Sequence, residues 1–91
     1  MSVTFHLPPY LAGLIGGQVT VLIDSVELEV GGALMSLLTL HPALHDRIFD
    51  ERDEVRPHIN IFVGNECIRF CGGLATKIHK STDIFILPAL D

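Results

Sequence analysis

The chain has 91 residues, 48% of them apolar, and a formal net charge of -5 at pH 7. This length supports one hydrophobic core, so we expect a single domain over residues 1–91, and the apolar fraction excludes a disordered chain. Lys and Arg together number 6 against 11 Asp and Glu, which argues against nucleic acid as a partner because phosphate binding relies on clustered basic residues.

The N-terminus predicts a cytoplasmic protein without a membrane partner. The opening residues, MSVTFHLPPY, lack the cationic start and long apolar run of a targeting segment. Cys67 and Cys71 are the 2 cysteines of the chain, too few for a disulfide framework, so we expect both to be reduced.

The first elements predict an antiparallel hairpin. Val3–Leu7 alternates apolar and polar residues, the period of a half-buried strand, and ends at Pro8-Pro9. Gln18–Ile23 is a second strand rich in β-branched residues. Between them, Tyr10–Gly17 is expected to be a loop whose Gly16-Gly17 pair adopts positive φ.

Gly31–Leu40 predicts the main helix. Its apolar stripe at helical spacing consists of Ala33, Leu34, Leu37, Leu38 and Leu40. Pro42 ends this helix because proline disfavours helical geometry at the residue before it. A short second helix is expected over Ala43–Phe49, with Leu44, Ile48 and Phe49 inward, and the preceding stretch Val26–Val30 is ambiguous.

The second half of the chain predicts three more strands. After the solvated acidic connection Asp50–Glu54, His58–Val63 alternates, Gly64-Asn65 supplies a turn, and Glu66–Phe70 returns as a short strand. Gly72-Gly73 reads as another pair of turn glycines, and a turn at Lys80–Thr82 leads into the closing strand from Asp83 to Leu87.

This order of elements predicts an α+β protein with the β-grasp (ubiquitin-like) fold: a mixed sheet of four to five strands with one main helix packed on one face. The helix makes a crossover, so the last strand can run parallel to the first and lie beside it. Ile84 and Ile86 then face the helix, whereas Phe85 and Leu87 point to the other face.

The apolar residues on the helix-free face are the main functional signal. Phe62, Phe85 and Leu87, followed by Pro88, predict a partner-binding site, because an apolar patch on an exposed sheet face usually marks an interface. The alternative is that other residues of the chain cover them.

The reactive side chains form no catalytic or metal constellation. Cys67 and Cys71 lack further ligands at finger-like spacing and are expected to pack in or near the core. His41 and His45 share the spacing of a ligand pair, but Pro42 spoils the helical geometry, so surface histidines are favoured. For His6, His58 and His79 the sequence offers nothing to orient the rings. We expect no metal site and no enzyme activity.

Four segments carry a resemblance to a known family. RPHINIFVGNECIRF, CGGLATKI and DIFILPAL, with VTFHLP at the start, resemble the MoaD/ThiS family of ubiquitin-like sulfur carriers, in the branch of the molybdopterin synthase small subunit and the carrier used in cysteine biosynthesis. The resemblance covers essentially the whole chain and is strongest from Arg56 to Leu90. One departure is Thr82, which stands where the family usually has glycine.

The resemblance implies the β-grasp fold and two protein partners. An adenylating enzyme of the ubiquitin-activating type binds the exposed sheet face and uses ATP to activate the C-terminal carboxylate, so the carrier itself binds no cofactor. Sulfur transfer then leaves a thiocarboxylate, which a sulfur-accepting enzyme uses to build a cofactor, cysteine or another sulfur metabolite.

Leu90 and Asp91 correspond to the start of the reactive tail. In the family this tail continues into Gly-Gly, two residues slender enough for a narrow channel, whereas this sequence ends at Asp91. The charged Asp91 side chain does not suit such a channel, and an activated aspartyl carboxyl is open to attack by its own side chain. We therefore expect the polypeptide as written not to be thiocarboxylated.

Two functions remain open from the sequence. The first is a sulfur carrier of the MoaD/ThiS type that docks through the patch. The second is a ubiquitin-like interaction module that keeps the fold and the docking surface without carrier chemistry. A homodimer through the exposed sheet face is compatible with either.

Overall fold

A computed structural model of the chain describes residues 2–24, 29–78 and 82–88. The strands are β1 (Ser2–His6), β2 (Thr20–Asp24), β3 (Ile59–Val63), β4 (Glu66–Cys67) and β5 (Thr82–Pro88). The α-helices are α1 (Pro9–Ala12), α2 (Val30–Leu40) and α3 (His45–Ile48). The strands form one 5-stranded sheet in the order β2-β1-β5-β3-β4. This arrangement confirms the predicted β-grasp fold.

The closing strand lies in the middle of the sheet, as predicted. On one side β5 runs parallel to β1, with Val3 opposite Thr82 and His6 opposite Phe85. On the other side it runs antiparallel to β3, with Ile61 opposite Ile86. The pairing begins at Thr82, so the residue that replaces the family's glycine is accommodated as the first residue of the strand.

The core lies between this sheet and α2. Alternate strand residues point toward the helix and are fully buried, among them Phe5 and the pair Ile84 and Ile86. From α2 the residues that meet them are Ala33, Leu34, Leu37 and Leu38, all buried. The prediction for Leu40 was wrong: its side chain is 61% exposed, because the helix ends there and His41 leaves helical geometry before Pro42.

The start of α2 is fixed by the segment that follows the 3-10 turn Ile68–Phe70. The N–H of Val30 donates to the carbonyl of Thr76 over 3.0 Å, and Lys77 pairs with Glu29 at 3.1 Å. A Cβ on Gly31 would lie 3.1 Å from the carbonyl oxygen of Leu74. Gly31 therefore permits a close approach of the helix and this segment.

Several local predictions need correction. The loop expected over Tyr10–Gly17 includes part of α1 and the 3-10 turn Gly13–Ile15, since Pro8 and Pro9 are well suited to begin a helical turn. The strand expected over Glu66–Phe70 ends at Cys67 and continues as a 3-10 turn. The short helix around Ala43–Phe49 is confirmed, with its three apolar residues buried. Positive φ values confirm both predicted pairs of turn glycines.

Some predictions fall on residues outside the described ranges. These are residues 26–28 of the ambiguous stretch Val26–Val30, the turn residues 80–81, His79, and the tail residues Leu90 and Asp91. Among the described residues, no helix combines the length and the apolar composition that crossing a bilayer requires.

The two faces of β5 should contribute very differently to stability. Replacing Ile86 with alanine is expected to lower the free energy of unfolding by about 2–5 kcal/mol, because a fully buried side chain leaves a cavity. The matched control Leu87→Ala, whose side chain is 41% exposed, should cost less than about 1 kcal/mol. Urea unfolding of both variants measures this, and equal losses would contradict the assignment of the two faces.

Candidate functional site

The helix-free face of the sheet brings together most of the predicted partner-binding residues. Phe62 of β3 lies directly opposite Phe85 of β5, and Leu87 lies opposite Asn60. Residues directly opposite each other in a sheet point to the same face, so these side chains share the surface that faces away from α2. We call Phe62, Phe85 and Leu87 the apolar patch.

The patch borders a shallow depression at the β3–β4 turn. Gly64 and Asn65 complete its lining, and the N–H of Gly64 donates to the carbonyl of Asp83 over 3.1 Å. This bond ties the turn to the central strand β5, so the turn residues that line the depression are held in place against the strand. Leu87 is 41% exposed, and Phe62 and Phe85 are half-buried. The described chain therefore leaves Leu87 open to a partner, against the alternative that other residues cover it.

Pro88 is separated from the patch by the strand register. It lies opposite Ile59, whose side chain is fully buried in the core, so the register assigns Pro88 to the other side of the sheet. It is nevertheless exposed, because it lies at the end of β5. The structure thus brings together three of the four predicted residues and leaves Pro88 beyond them, where β5 leads into the C-terminal segment.

His6 is the residue of this face that the sequence missed. It lies opposite Phe85 in the parallel pairing of β1 with β5. Its ring stacks on that of Phe85, with centroids 4.3 Å apart and planes inclined by 13°, and its Nε2 is 3.2 Å from Oδ1 of Asp83. The expectation that nothing orients His6 was wrong. The contact could have been predicted only from the strand register, because His6 lies opposite Phe85 once β1 is paired with β5.

Around Asp83 the polar groups of the face are acidic or neutral, whereas at Asn60 the Arg69 guanidinium reaches the face and its Nε donates to Oδ1 over 3.3 Å. None of the strands in the described part of the chain contains Lys or Arg, whereas β2 ends at Asp24 and β5 carries Asp83. The Asp83 carboxylate is 56% exposed. A partner surface that matches this face is therefore apolar opposite the patch and bears donors or positive charge opposite Asp83.

The cysteines lie at the edge of this region and remain thiols. Cys67 lies opposite Phe62 in the β3–β4 pairing, and both Cys67 and Cys71 are free and partly buried. The Cys71 thiol donates to Oε2 of Glu66 over 3.0 Å, and this hydrogen bond to a carboxylate raises the pKa of Cys71 above its usual value. Cys71 is consequently a weaker nucleophile at neutral pH than an ordinary cysteine.

The histidine pair suggested by spacing forms no metal site. His45 contacts Asp46 through Nδ1 at 3.0 Å and Asp53 through Nε2 at 3.5 Å, so the two carboxylates lie on opposite edges of the ring instead of converging on one point. Within residues 2–24, 29–78 and 82–88, no group of three or more His, Cys, Asp or Glu side chains is placed to hold a metal ion.

Phe70 and Arg69 form a second feature that the sequence did not predict. Arg69 donates through Nη2 to the carbonyls of Arg56, Pro57 and Ile59, the last at 2.7 Å. This anchoring holds the 3-10 turn Ile68–Phe70 against the start of β3. Phe70 is displayed at its end with 87% of its surface exposed, the highest value among the large apolar side chains of the described residues.

Comparisons with known proteins agree with this fold. No family model matches the chain. The sulfur carrier protein CysO of Mycobacterium tuberculosis is 34% identical over 92 residues, which cover 99% of this chain and 97% of CysO. The crystal structure of CysO from the same species has a TM-score of 0.85 at 30% identity, covering 97% of this chain and 99% of that one.

Two further solved structures resemble the chain over nearly its full length. The crystal structure of SAMP1 from Haloferax volcanii has a TM-score of 0.84 at 28% identity and covers 100% of this chain and 98% of SAMP1. A chain in the crystal structure of the BexX/CysO complex of Amycolatopsis orientalis has a TM-score of 0.84 at 26% identity, covering 98% of this chain and 97% of that one.

The contact between His6 and Phe85 should be measurable as an energetic coupling. A double-mutant cycle with His6→Ala and Phe85→Ala is expected to give a coupling of about 0.5–1.5 kcal/mol, because stacked rings contribute this much beyond their buried area. Urea unfolding of the two single variants and the double variant provides the measurement. A matched cycle with His58→Ala and Phe85→Ala serves as the control, and a coupling near zero for His6 would contradict the stack.

The hydrogen bond and charges around His45 should raise its titration midpoint. Asp46, and then Asp53, hold the pKa of His45 above its ordinary value, so NMR titration of Asp46→Asn should move this pKa down. A raised folded-state pKa stabilises the fold below the unfolded pKa, and this contribution is lost as pH rises through the folded pKa. The opposite direction, a pKa that rises in Asp46→Asn, would show that the contact is not attractive.

Proposed function

The chain belongs to the MoaD/ThiS-type family of ubiquitin-like sulfur carrier proteins, and from this premise we propose that it carries sulfur for cysteine biosynthesis as a thiocarboxylate at the end of a tail extended beyond Asp91 by Gly-Gly. The observation that supports this most strongly is the 34% identity to the CysO sulfur carrier over 99% of this chain. The non-carrier interaction module is not favoured, because no observation distinguishes this chain from the carriers in fold or surface.

The geometry of β5 supports docking and tail chemistry at one partner. Phe85 and Leu87 of this strand belong to the apolar patch, and Asp91 follows Leu87 by four residues. Four extended residues reach at most about 14 Å. A partner seated on the patch therefore lies near the C-terminal segment, which is the arrangement that modification of the tail requires.

The proposed partners are an adenylating enzyme of the ubiquitin-activating type and a sulfur-accepting enzyme. The solved complex of CysO with BexX supports the view that such carriers form complexes with a second protein. We propose that the chain contributes the face and the carboxylate, performs no catalysis and binds no cofactor, whereas ATP is bound and consumed by the adenylating enzyme.

In the proposed chemistry the terminal carboxylate is the only group of this chain that reacts. A carboxylate oxygen attacks the α-phosphorus of ATP, which releases pyrophosphate and leaves an acyl-adenylate. A sulfur nucleophile then forms the carbon–sulfur bond and displaces AMP. We further propose that this occurs in the cytoplasm, where Cys67 and Cys71 remain the free thiols of the structure.

Two matched chains test this function and the expectation for the tail together. One chain ends at Asp91, and the other is extended there by two glycines; each is incubated with the adenylating enzyme of the same organism, ATP and a sulfide source. Intact-mass spectrometry should show, in the extended chain alone, the mass gain of replacing one oxygen by one sulfur. The carrier proposal fails if the extended chain binds the enzyme and remains unmodified.

A variant of the face separates docking from tail chemistry. Leu87→Asp in the extended chain should lower the rate of sulfur incorporation at sub-saturating enzyme at least about tenfold, because it buries a charge in an apolar interface. Glu51→Asp, a small change at an exposed site away from the sheet, should leave the rate unchanged. Equal rates for the two variants would contradict docking through the apolar patch.

A further inference from the structure

His6 and Asp83 form a polar pair near the centre of the helix-free face, beside the apolar patch. His6 lies in β1, next to the central strand, and between Thr20 of β2 and Phe85 of β5. The His6 side chain is 34% exposed and that of Asp83 is 56% exposed. A partner that covers Phe85 must therefore also cover these two side chains.

The contact between them determines which atoms face the partner. A carboxylate only accepts hydrogen bonds, so in the 3.2 Å contact between His6 Nε2 and Asp83 Oδ1 the imidazole donates through Nε2. In the neutral ring the other nitrogen, Nδ1, is then an acceptor. The stack on Phe85 fixes the plane of the ring, so the direction of this acceptor is fixed as well.

The pair consequently offers two acceptors and, while His6 is neutral, one negative charge. No Lys or Arg occurs in the described strands to neutralise it. A purely apolar partner surface would bury Nδ1 without a hydrogen bond and leave the carboxylate with only its contact to His6, and the desolvation of such polar groups opposes binding. The partner must supply donors at this position.

We propose that His6 and Asp83 form a specificity element, and that the partner docking on this face places an arginine or lysine side chain over them. A cationic donor matches both acceptors and the charge, and hydrogen bonds between ionised groups are stronger than neutral ones. The inference rests on the proposed function, since it takes the adenylating enzyme as the partner. The apolar patch provides contact area. The polar pair distinguishes between apolar partner surfaces, because it favours the surface that presents a hydrogen-bond donor to it.

Two variants separate the two acceptors without removing the ring or the shape. His6→Phe keeps an aromatic ring against Phe85 and removes Nδ1, whereas Asp83→Asn keeps the acceptor for the imidazole and removes the charge. The matched controls are His58→Phe and Glu51→Gln, the same changes at exposed sites away from this face. Thermal unfolding of all four checks that the fold is kept.

The measurement is the affinity of the full chain for the adenylating enzyme of the same organism, by calorimetry at low and at physiological salt. His6→Phe and Asp83→Asn should each weaken binding about 10-fold, the effect of losing a hydrogen bond to a charged group, and the controls should not. Asp83→Asn should also flatten the dependence of Kd on salt, because its charge no longer contributes. A lost packing contact alone would not change the salt dependence.

The possible outcomes distinguish this inference from the function on which it rests. If Leu87→Asp abolishes binding while His6→Phe and Asp83→Asn bind like the original chain, the face docks but the specificity element is wrong. If all three bind normally, the docking face itself is wrong. In the original chain, ¹⁵N chemical shifts should show protonated Nε2 and unprotonated Nδ1 at neutral pH, and the reverse tautomer would overturn the assignment of the acceptor.

Discussion

The parallel pairing of β5 with β1 is the interaction on which the rest of the structure depends. It joins the two ends of the sequence, with Val3 opposite Thr82 and His6 opposite Phe85, and it leaves β3 to pair with the other side of β5. Only a crossover can bring the last strand parallel to the first, so α2 must lie across the sheet. The core, the central position of β5 and the single covered face all follow from this pairing.

One strand therefore serves two separate purposes. The inward isoleucines of β5, Ile84 and Ile86, are fully buried beneath α2 and stabilise the fold through apolar burial. The outward residues Phe85 and Leu87 belong to the apolar patch, the surface that we propose for a partner. Because consecutive side chains alternate between faces, changes on one face leave the other largely intact, and the docking surface can diverge between carriers without loss of the fold.

Sequence periodicity predicted most of the fold because its strands are strongly alternating. The inward and outward residues of β5 could be assigned from the period of two alone, and Pro42 marked the end of α2. The local sequence pattern gave wrong predictions where contacts between residues far apart in the sequence determine the structure. Gly31 meets Leu74, 43 positions further along the chain, and only the folded structure shows that a side chain at this position would crowd the Leu74 carbonyl. The Glu66–Phe70 strand was wrong because Arg69 turns back to the carbonyls of residues 56–59.

The candidate site was predictable in its apolar part and not in its polar part. Phe62, Phe85 and Leu87 were assigned to one face by alternation within their own strands. The contact of His6 with Asp83 spans 77 positions in sequence, and no local pattern reveals it. Pro88 lies on the other side of the sheet, as both the alternation after Leu87 and its opposite residue Ile59 indicate, and its role in partner binding stays a prediction.

The backbone around the site indicates that docking requires little rearrangement. The Gly64–Asn65 turn is tied to β5 by the hydrogen bond from Gly64 to the Asp83 carbonyl, and the same residue holds the His6 ring through its side chain. Asp83 thus fixes one wall of the depression and the polar pair at once. Ordering loops and side chains at an interface opposes association, so a face that is already ordered retains more of its contact energy as affinity. A side-chain substitution at position 83 keeps the bond to the turn, which uses the backbone carbonyl, and changes the polar pair alone.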